Sequence, residues 1–450
     1  MNYNEDTQLH ANHLAILTDR WHSAMLRHKF DMVIIDAGEP ALHLFDDQTA
    51  LFRANPHLAQ WLNTDDCEGS ALVIKGSDRP QLLFLSENDY WLKAPEPPLL
   101  PDQCINISVF QEKKDITLEI ENLLKSSSAP AYIGSPNNAN FPNTQINPKG
   151  LITSLEYYRA YKTAFEIKAT KEATLAAVQG HLMAKDCFNH GLSEIDIHLA
   201  YLKASRQSEG DLPYPNIIAL NEHASILHYQ RYDTEPPSQS RSFLIDAGAR
   251  NQHYAADITR TYMAESKNEE AQVFRALLEK LDNAQQKLIA TLRPGQKYLD
   301  LHEKMHIDIA TILSETGLVL CNPQECFELG LTRSFLPHGL GHLLGIQTHD
   351  VGGHQIDPNG TEEMPPDYYE TLRLTRTIEE EQIFTIEPGI YFIPTLLHQL
   401  KSKYSRKLNW KLINALCPFG GMRIEDNILL HKHEVENLTR QAFSDVEEKN

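Results

Sequence analysis

Over residues 9–28 the apolar positions Leu14, Ile16, Leu17, Trp21, Met25 and Leu26 recur at helical spacing, which predicts an amphipathic helix. A short β-like run, DMVIIDAG, follows, and LVIKG and QLLFLS read as further strands. Helix and strand alternate to about residue 125, so this part reads as a compact α/β domain built on a sheet. The stretch SPNNANFPNTQINPKG (135–150) concentrates Pro, Asn and Gly and predicts a long loop beside a domain junction. We expect a smaller amino-terminal domain over 1–158 and a second domain over 159–450, since the chain is too long for one ordinary core.

Beyond that junction, residues 152–206 read as consecutive helices rich in Ala, Leu, Glu and Lys. From 216 onward short strand-like runs dominate: NIIAL, SILHY, RSFLIDAGA and HYAADITRTYM. Helical stretches at about 268–291 and 299–315 precede a Gly- and His-rich segment at 337–353, and strands return at QIFTIEPGIYF and GMRIEDNILL. Helices mixed with hairpin-connected strands predict an α+β domain.

The same alternation gathers charge on one face. The run SFLIDAGA–Arg250–Asn251–Gln252–His253–YAADITRTY reads as a hairpin with a two-residue loop at Asn251–Gln252. Pairing Arg250 with His253 then sets Asp246 opposite Asp257, with Phe243, Ile245, Ala247, Tyr254, Ala256 and Ile258 forming the apolar face. In QIFTIEPGIYF, Thr385 and Glu387 lie opposite Phe384, Ile386 and Ile390; in GMRIEDNILL, Arg423 and Glu425 lie opposite Met422, Ile424 and Ile428. Asp426 breaks that alternation. Three histidines, His338, His342 and His349, fall in twelve positions among glycines, which permit close backbone approach to a ligand.

Four ionised carboxylates in one pocket would repel pairwise by about 4 kcal/mol each at contact distance in an effective dielectric near 20. Cations or protons must compensate them. Two divalent ions would balance the charge through bridging carboxylates, and oxygen donors with one imidazole suit Mn²⁺ or Co²⁺, with Zn²⁺ also compatible.

Composition narrows the rest. Asp plus Glu (61) exceeds Lys plus Arg (41), a net charge of −20, which argues against a nucleic-acid partner. No run of apolar residues is long enough for a membrane span, and the start MNYNEDTQLHANH has neither a basic nor an apolar leader region, so a cytoplasmic location is expected. The six cysteines show no disulfide-framework spacing and are expected to be reduced.

The stretches NEHASILHY, FLIDAGA…YAADITRT, PHGLGHLLGIQTHDVGG, TIEPGIYF and GMRIEDN together resemble bacterial-type Xaa-Pro dipeptidases (prolidases), members of the pita-bread metallopeptidases. FDMVIIDAGEPALHLFDDQTALFRANPHLAQWL is also similar to the amino-terminal region of that family and of its organophosphorus acid anhydrolase relatives. The resemblance implies a pita-bread catalytic domain and hydrolysis of Xaa-Pro dipeptides by a metal-bridged hydroxide. It implies that Asp246 chelates one ion, Asp257 and Glu425 bridge both, and His342 and Glu387 bind the other. Glu387 would also shuttle a proton, His228 and His349 would contact substrate and stabilise the oxyanion, Arg373 would receive the prolyl carboxylate, and Tyr214 would line the pocket. Arg423 would orient a carboxylate ligand. A homodimer, with the amino-terminal domain bordering the partner's pocket, is implied as well. Alternatives are an Xaa-Pro aminopeptidase acting on longer peptides and a side activity on organophosphate triesters. One departure from the family pattern is the absence, in TIEEEQIFTIEPG, of the Pro-Gly that commonly precedes TIEPG.

Overall fold

The computed structural model describes residues 3–138 and 141–448. The chain divides into two compact units, the first comprising Met1–Ala169, Gln252–Tyr254 and Asp357–Thr361 and the second the remainder.

In the first unit, β1 (Met32–Asp36), β2 (Ala71–Lys75), β3 (Gln81–Leu85), β4 (Asn106–Phe110), β5 (Pro130–Ile133) and β6 (Gln145–Ile146) form one sheet in the order β4-β3-β2-β1-β5-β6. β1 runs antiparallel to β2 and parallel to β5. Its continuous apolar run has a physical cause, because both faces of the strand are covered. Val33 and Ile35 pack with Leu14, Leu17, Trp21 and Met25 of the helix Tyr3–His28, whereas Met32 and Ile34 pack with Ile116 and Ile120 of the helix Lys113–Leu124. Each fully buried side chain of this kind contributes roughly 1.5–3 kcal/mol. The first helix buries Leu14, Leu17, Trp21 and Met25 but turns Ile16 and Leu26 outward, the latter 79% exposed. The expected loop at 135–150 contains the short helical turn Pro136–Asn138 and β6, and its residues 139 and 140 lie outside the described residues.

The second unit is built from small antiparallel sheets. Strands β7 (Ile217–Leu220), β8 (Ser242–Asp246) and β11 (Thr259–Met263) form one, in the order β11-β8-β7, and β9 (Arg250–Asn251) pairs with β10 (Tyr254–Ala255). Strands β12 (Gln382–Ile386), β15 (Asp426–Leu430) and β16 (Val435–Asn437) form another, and β13 (Gly389–Tyr391) pairs with β14 (Gly421–Arg423). The helices expected near 268–291 and 299–315 are Glu269–Ala290 and Tyr298–Glu315. SILHY is not a strand: Asn221–Ser225 forms a 3-10 helix and the chain then turns.

The hairpin around residue 250 forms, but its turn lies at Gln252–His253, both in left-handed backbone conformations (φ 46° and 73°) as such tight turns require. Asp246 therefore faces Thr259, not Asp257. The expected register is off by two residues, and a shift of two keeps every side chain on its face. Phe243, Ile245, Ala247, Tyr254, Ala256 and Ile258 are all buried as that face demands. Between the paired segments the ladder narrows to single bonds such as Ala247 N to Ile258 O, 3.0 Å.

Candidate active site

Each acidic residue singled out above stands where regular strand stops. Asp246 ends β8, Asp257 precedes β11, Glu387 separates β12 from β13, and Glu425 separates β14 from β15. At such interruptions a side chain can leave the pleat and turn inward. Helix Glu269–Ala290 ties two of these breaks together: Gln285, fully buried, donates from Nε2 to Ile386 O (2.8 Å) and Ile424 O (3.2 Å), the residues just before Glu387 and Glu425.

His342 reaches the same point from an irregular segment laced to β12. His342 N donates to Thr385 Oγ1 (3.1 Å), Thr385 N to His342 O (2.9 Å) and Leu344 N to Ile383 O (2.9 Å). Gly341 is required by that approach, since a Cβ there would lie 2.1 Å from Thr385 O. The glycine thus brings backbone against backbone, and it lines the cavity as well.

His342 Nε2 lies 3.4 Å from Asp257 Oδ2, 3.6 Å from Glu387 Oε1 and 4.0 Å from Glu425 Oε1. Asp257, His342 and Glu425 are buried, and one donor atom from each falls within 4.8 Å of the other two. Asp246, Asp257, His342, Glu387 and Glu425 all line one cavity of about 250 Å³. Leu227, His228, His338, His349, Thr371, Arg373 and Arg423 also line it. His349 packs edge-on against the His342 ring at 4.5 Å.

Tyr214 sits against the cluster: its hydroxyl donates to Asp257 Oδ1, a cavity-lining carboxylate, and its ring packs beside Gly248. Arg423 behaves as its strand face suggests, pairing through Nη2 with Asp246 Oδ2. It also donates from Nε to Thr259 Oγ1 (2.9 Å), whose hydroxyl in turn donates to Glu425 Oε2 (2.7 Å).

Sequence reading did not foresee the relay that continues from it. Arg423 Nη1 donates to the Tyr391 hydroxyl (2.7 Å), which lies 2.8 Å from His338 Nε2. His338 Nδ1 donates to Gly339 O (2.8 Å), which leaves Nε2 as the acceptor. Burial, with Arg423 nearby, lowers the His338 imidazole to about 3, so it is neutral at ordinary pH. Tyr391 shares parity with Glu387 along the strand, the one signal that could have exposed it; Gln285 had none.

The electrostatics test whether a cation fits. Burial pushes Glu425 far above the ordinary carboxylate range, and Asp257, Glu387 and Asp246 push it further. Burial likewise raises Glu387 to about 7 and Asp246 to about 6, although Arg423 opposes both and His342 opposes the first. Burial works against charge on His342, yet Asp257 and Glu387 hold its pKa above the usual value. Asp246 Oδ1 is buried without a hydrogen-bond partner. His342 Nδ1 donates to Leu343 O (2.9 Å), so Nε2 is the ring nitrogen that faces three carboxylates and is free to bind a cation once deprotonated. Acceptors facing acceptors in a buried space are mutually repulsive, and a divalent cation removes that conflict. The donor set therefore fits divalent metal.

The comparisons with known proteins agree. Residues 168–432 match the model of metallopeptidase family M24, and residues 8–157 match that of the Xaa-Pro dipeptidase N-terminal domain. The chain is 41% identical over 449 residues to an Xaa-Pro dipeptidase of Proteus mirabilis (strain HI4320), covering 96% of this chain and 98% of the other. It is 40% identical over 448 residues to one of Pseudoalteromonas translucida (strain TAC 125), covering 97% and 99%. Among solved structures it resembles proline aminopeptidase P II from Yersinia pestis, with a TM-score of 0.73, 20% identity, and 97% and 98% of the two chains covered. It also resembles the zinc-substituted E. coli aminopeptidase P in complex with product, with a TM-score of 0.72, 20% identity, and 94% of each chain covered. The second unit has the pita-bread fold, the α+β architecture expected from sequence. With its breaks in strand structure converging on a buried carboxylate cluster, and family matches along nearly its whole length, the chain belongs to metallopeptidase family M24.

Proposed function

We propose that this protein is a metallodipeptidase that hydrolyses Xaa-Pro dipeptides and releases the C-terminal proline. The observation that carries the reading is the meeting of Asp246, Asp257, His342, Glu387 and Glu425 in one small cavity with His228, His349 and Arg373. Full-length relatives about 40% identical are named Xaa-Pro dipeptidases.

Two divalent ions, Mn²⁺ by preference with Co²⁺ or Zn²⁺ as substitutes, would be held by those five side chains, with Asp257 and Glu425 as the shared ligands. The chemistry such ions supply is acidification of a water and polarisation of the scissile carbonyl. Glu387 passes a proton to the leaving prolyl nitrogen. An Xaa-Pro bond has no N–H, so the site needs no acceptor for one. His228 and His349 donate toward the carbonyl oxygen as negative charge develops there. Arg373, exposed at the cavity wall, receives the free prolyl carboxylate in a planar two-point contact and so selects dipeptides. Residues 1–158 would act as an amino-terminal domain bordering the pocket of the partner in a homodimer, and 159–450 as the catalytic domain.

Hydrolysis of Ala-Pro by the purified protein, lost on chelation and restored by Mn²⁺, is the expected result. Cleavage of an Ala-Pro-Yaa tripeptide as fast as Ala-Pro would replace this reading with that of an aminopeptidase. Asp257→Asn should abolish turnover while leaving the far-ultraviolet circular dichroism unchanged; retained turnover would contradict the ligand assignment. A monomer by light scattering would sink the dimer.

A further inference from the structure

His228 reaches the cavity from a segment with little regular structure of its own. After β7 the chain makes one 3-10 helix, Asn221–Ser225, turns at Leu227 and His228, and runs on irregularly past Asp233. No strand ladder fixes this stretch, so another restraint must. One restraint that reaches both sides of His228 is a single carboxylate. Glu194, at the start of the helix Glu194–Ser205, is 1% exposed. Its Oε1 accepts from Leu220 N (2.8 Å) and His223 Nδ1 (2.8 Å), and its Oε2 accepts from the Tyr229 hydroxyl (2.7 Å) and Asp233 N (2.8 Å). The four donors lie on both sides of His228, and Tyr229 adjoins it. The His223 and Tyr229 rings also stack at 4.4 Å, closing the segment on itself.

Glu194, His223 and Asp233 have the spacing of a metal-binding group. The hydrogen bonds decide against an ion there. A carboxylate offers about four lone-pair sites, and protein donors occupy all four of Glu194's. A saturated buried carboxylate of this kind restrains backbone with charge-assisted bonds, roughly twice as strong as neutral ones.

We infer that Glu194 is a positioning residue for the hydrolytic reaction: it clamps the Leu220–Asp233 segment and thereby holds His228 at the cavity. This rests on the reading that His228 contacts the substrate. The test is a pair of double-mutant cycles on the full-length, Mn²⁺-loaded enzyme with Ala-Pro as substrate. Glu194→Gln keeps the size but turns two acceptor sites into donors, and should lower kcat/KM by about 10–100-fold; Tyr229→Phe removes one bond and should lower it by about tenfold. If the clamp acts through His228, adding either change to His228→Ala costs less than about threefold beyond His228→Ala alone. Losses that multiply in the double variants, or a Tyr229→Phe variant with wild-type kcat and KM, would overturn the inference. Should Glu194→Gln fail to fold, the Tyr229→Phe cycle decides alone. A His228→Ala enzyme with unchanged kcat/KM would instead refute the substrate role of His228, a failure distinct from that of the clamp.

Discussion

Glu381 stands in a left-handed backbone conformation, φ 62°, immediately before β12, in the stretch that lacks the Pro-Gly commonly preceding TIEPG. Its N–H still donates to Leu430 O at 2.8 Å, so the turn survives the departure from the family pattern. The conformation is costly for any residue with a Cβ, by roughly 1–2 kcal/mol, and glycine would recover part of that. Glu381→Gly should therefore raise unfolding stability by about 0.5–1 kcal/mol in urea, after the larger chain entropy of glycine is counted. A loss of stability would mean that the exposed Glu381 side chain makes a contact worth more than the strain. Asp426, the residue that broke the alternation of its strand, also has an account. It is fully buried and pairs with Arg260 (2.6 Å) and Arg440 (2.7 Å) on the face opposite Glu425. Removing one member of a buried ion pair leaves uncompensated charge. Asp426→Asn should cost about 3–5 kcal/mol by thermal or urea unfolding; a cost below 1 kcal/mol would show that the arginines find other partners.

The helix Tyr298–Glu315 carries His302 and His306 one turn apart, each 1% exposed, against the Tyr369 ring. Burial lowers both, His306 to about 4 and His302 well below its ordinary value, with the rings depressing each other further in the case of His302. The folded state therefore binds fewer protons than the unfolded chain between the ordinary histidine value near 6.5 and about 4. Stability should fall as pH drops through that window, by up to about 1.4 kcal/mol per pH unit for each histidine. His302→Leu should flatten the slope of unfolding free energy against pH by about one proton. An unchanged slope would place the acid sensitivity elsewhere.

The carboxylate cluster links local geometry to the stability of the catalytic unit. Four acidic groups gathered around His342 repel one another unless cations or protons intervene. Chelation should lower the midpoint of thermal unfolding, and Mn²⁺ should restore it in a concentration-dependent way, by about 3 kcal/mol at a hundredfold excess over Kd. A midpoint indifferent to chelator and metal would argue that protons alone balance the site. Among the described residues no helix is long and apolar enough to cross a membrane.

Alternation along short strands was enough to put Asp246, Asp257, Glu387, Arg423 and Glu425 on one side of their segments, because side-chain direction has a period of two whatever the pairing partner. That is also why a hairpin register wrong by two residues still gave the right face. The motif residues His228, His349 and Arg373 were legible for a different reason, the resemblance of whole segments to a family. Contacts between segments far apart in the chain left no such trace. Gln285 bracing two strand breaks, Arg423 reaching His338 through Tyr391, Tyr214 turned to Asp257 and Glu194 gripping the His228 segment join residues 26 to 139 positions apart, and no local period encodes such meetings. Local sequence set the facing of each side chain through backbone geometry; packing of distant segments alone chose which of those faces would share a cavity.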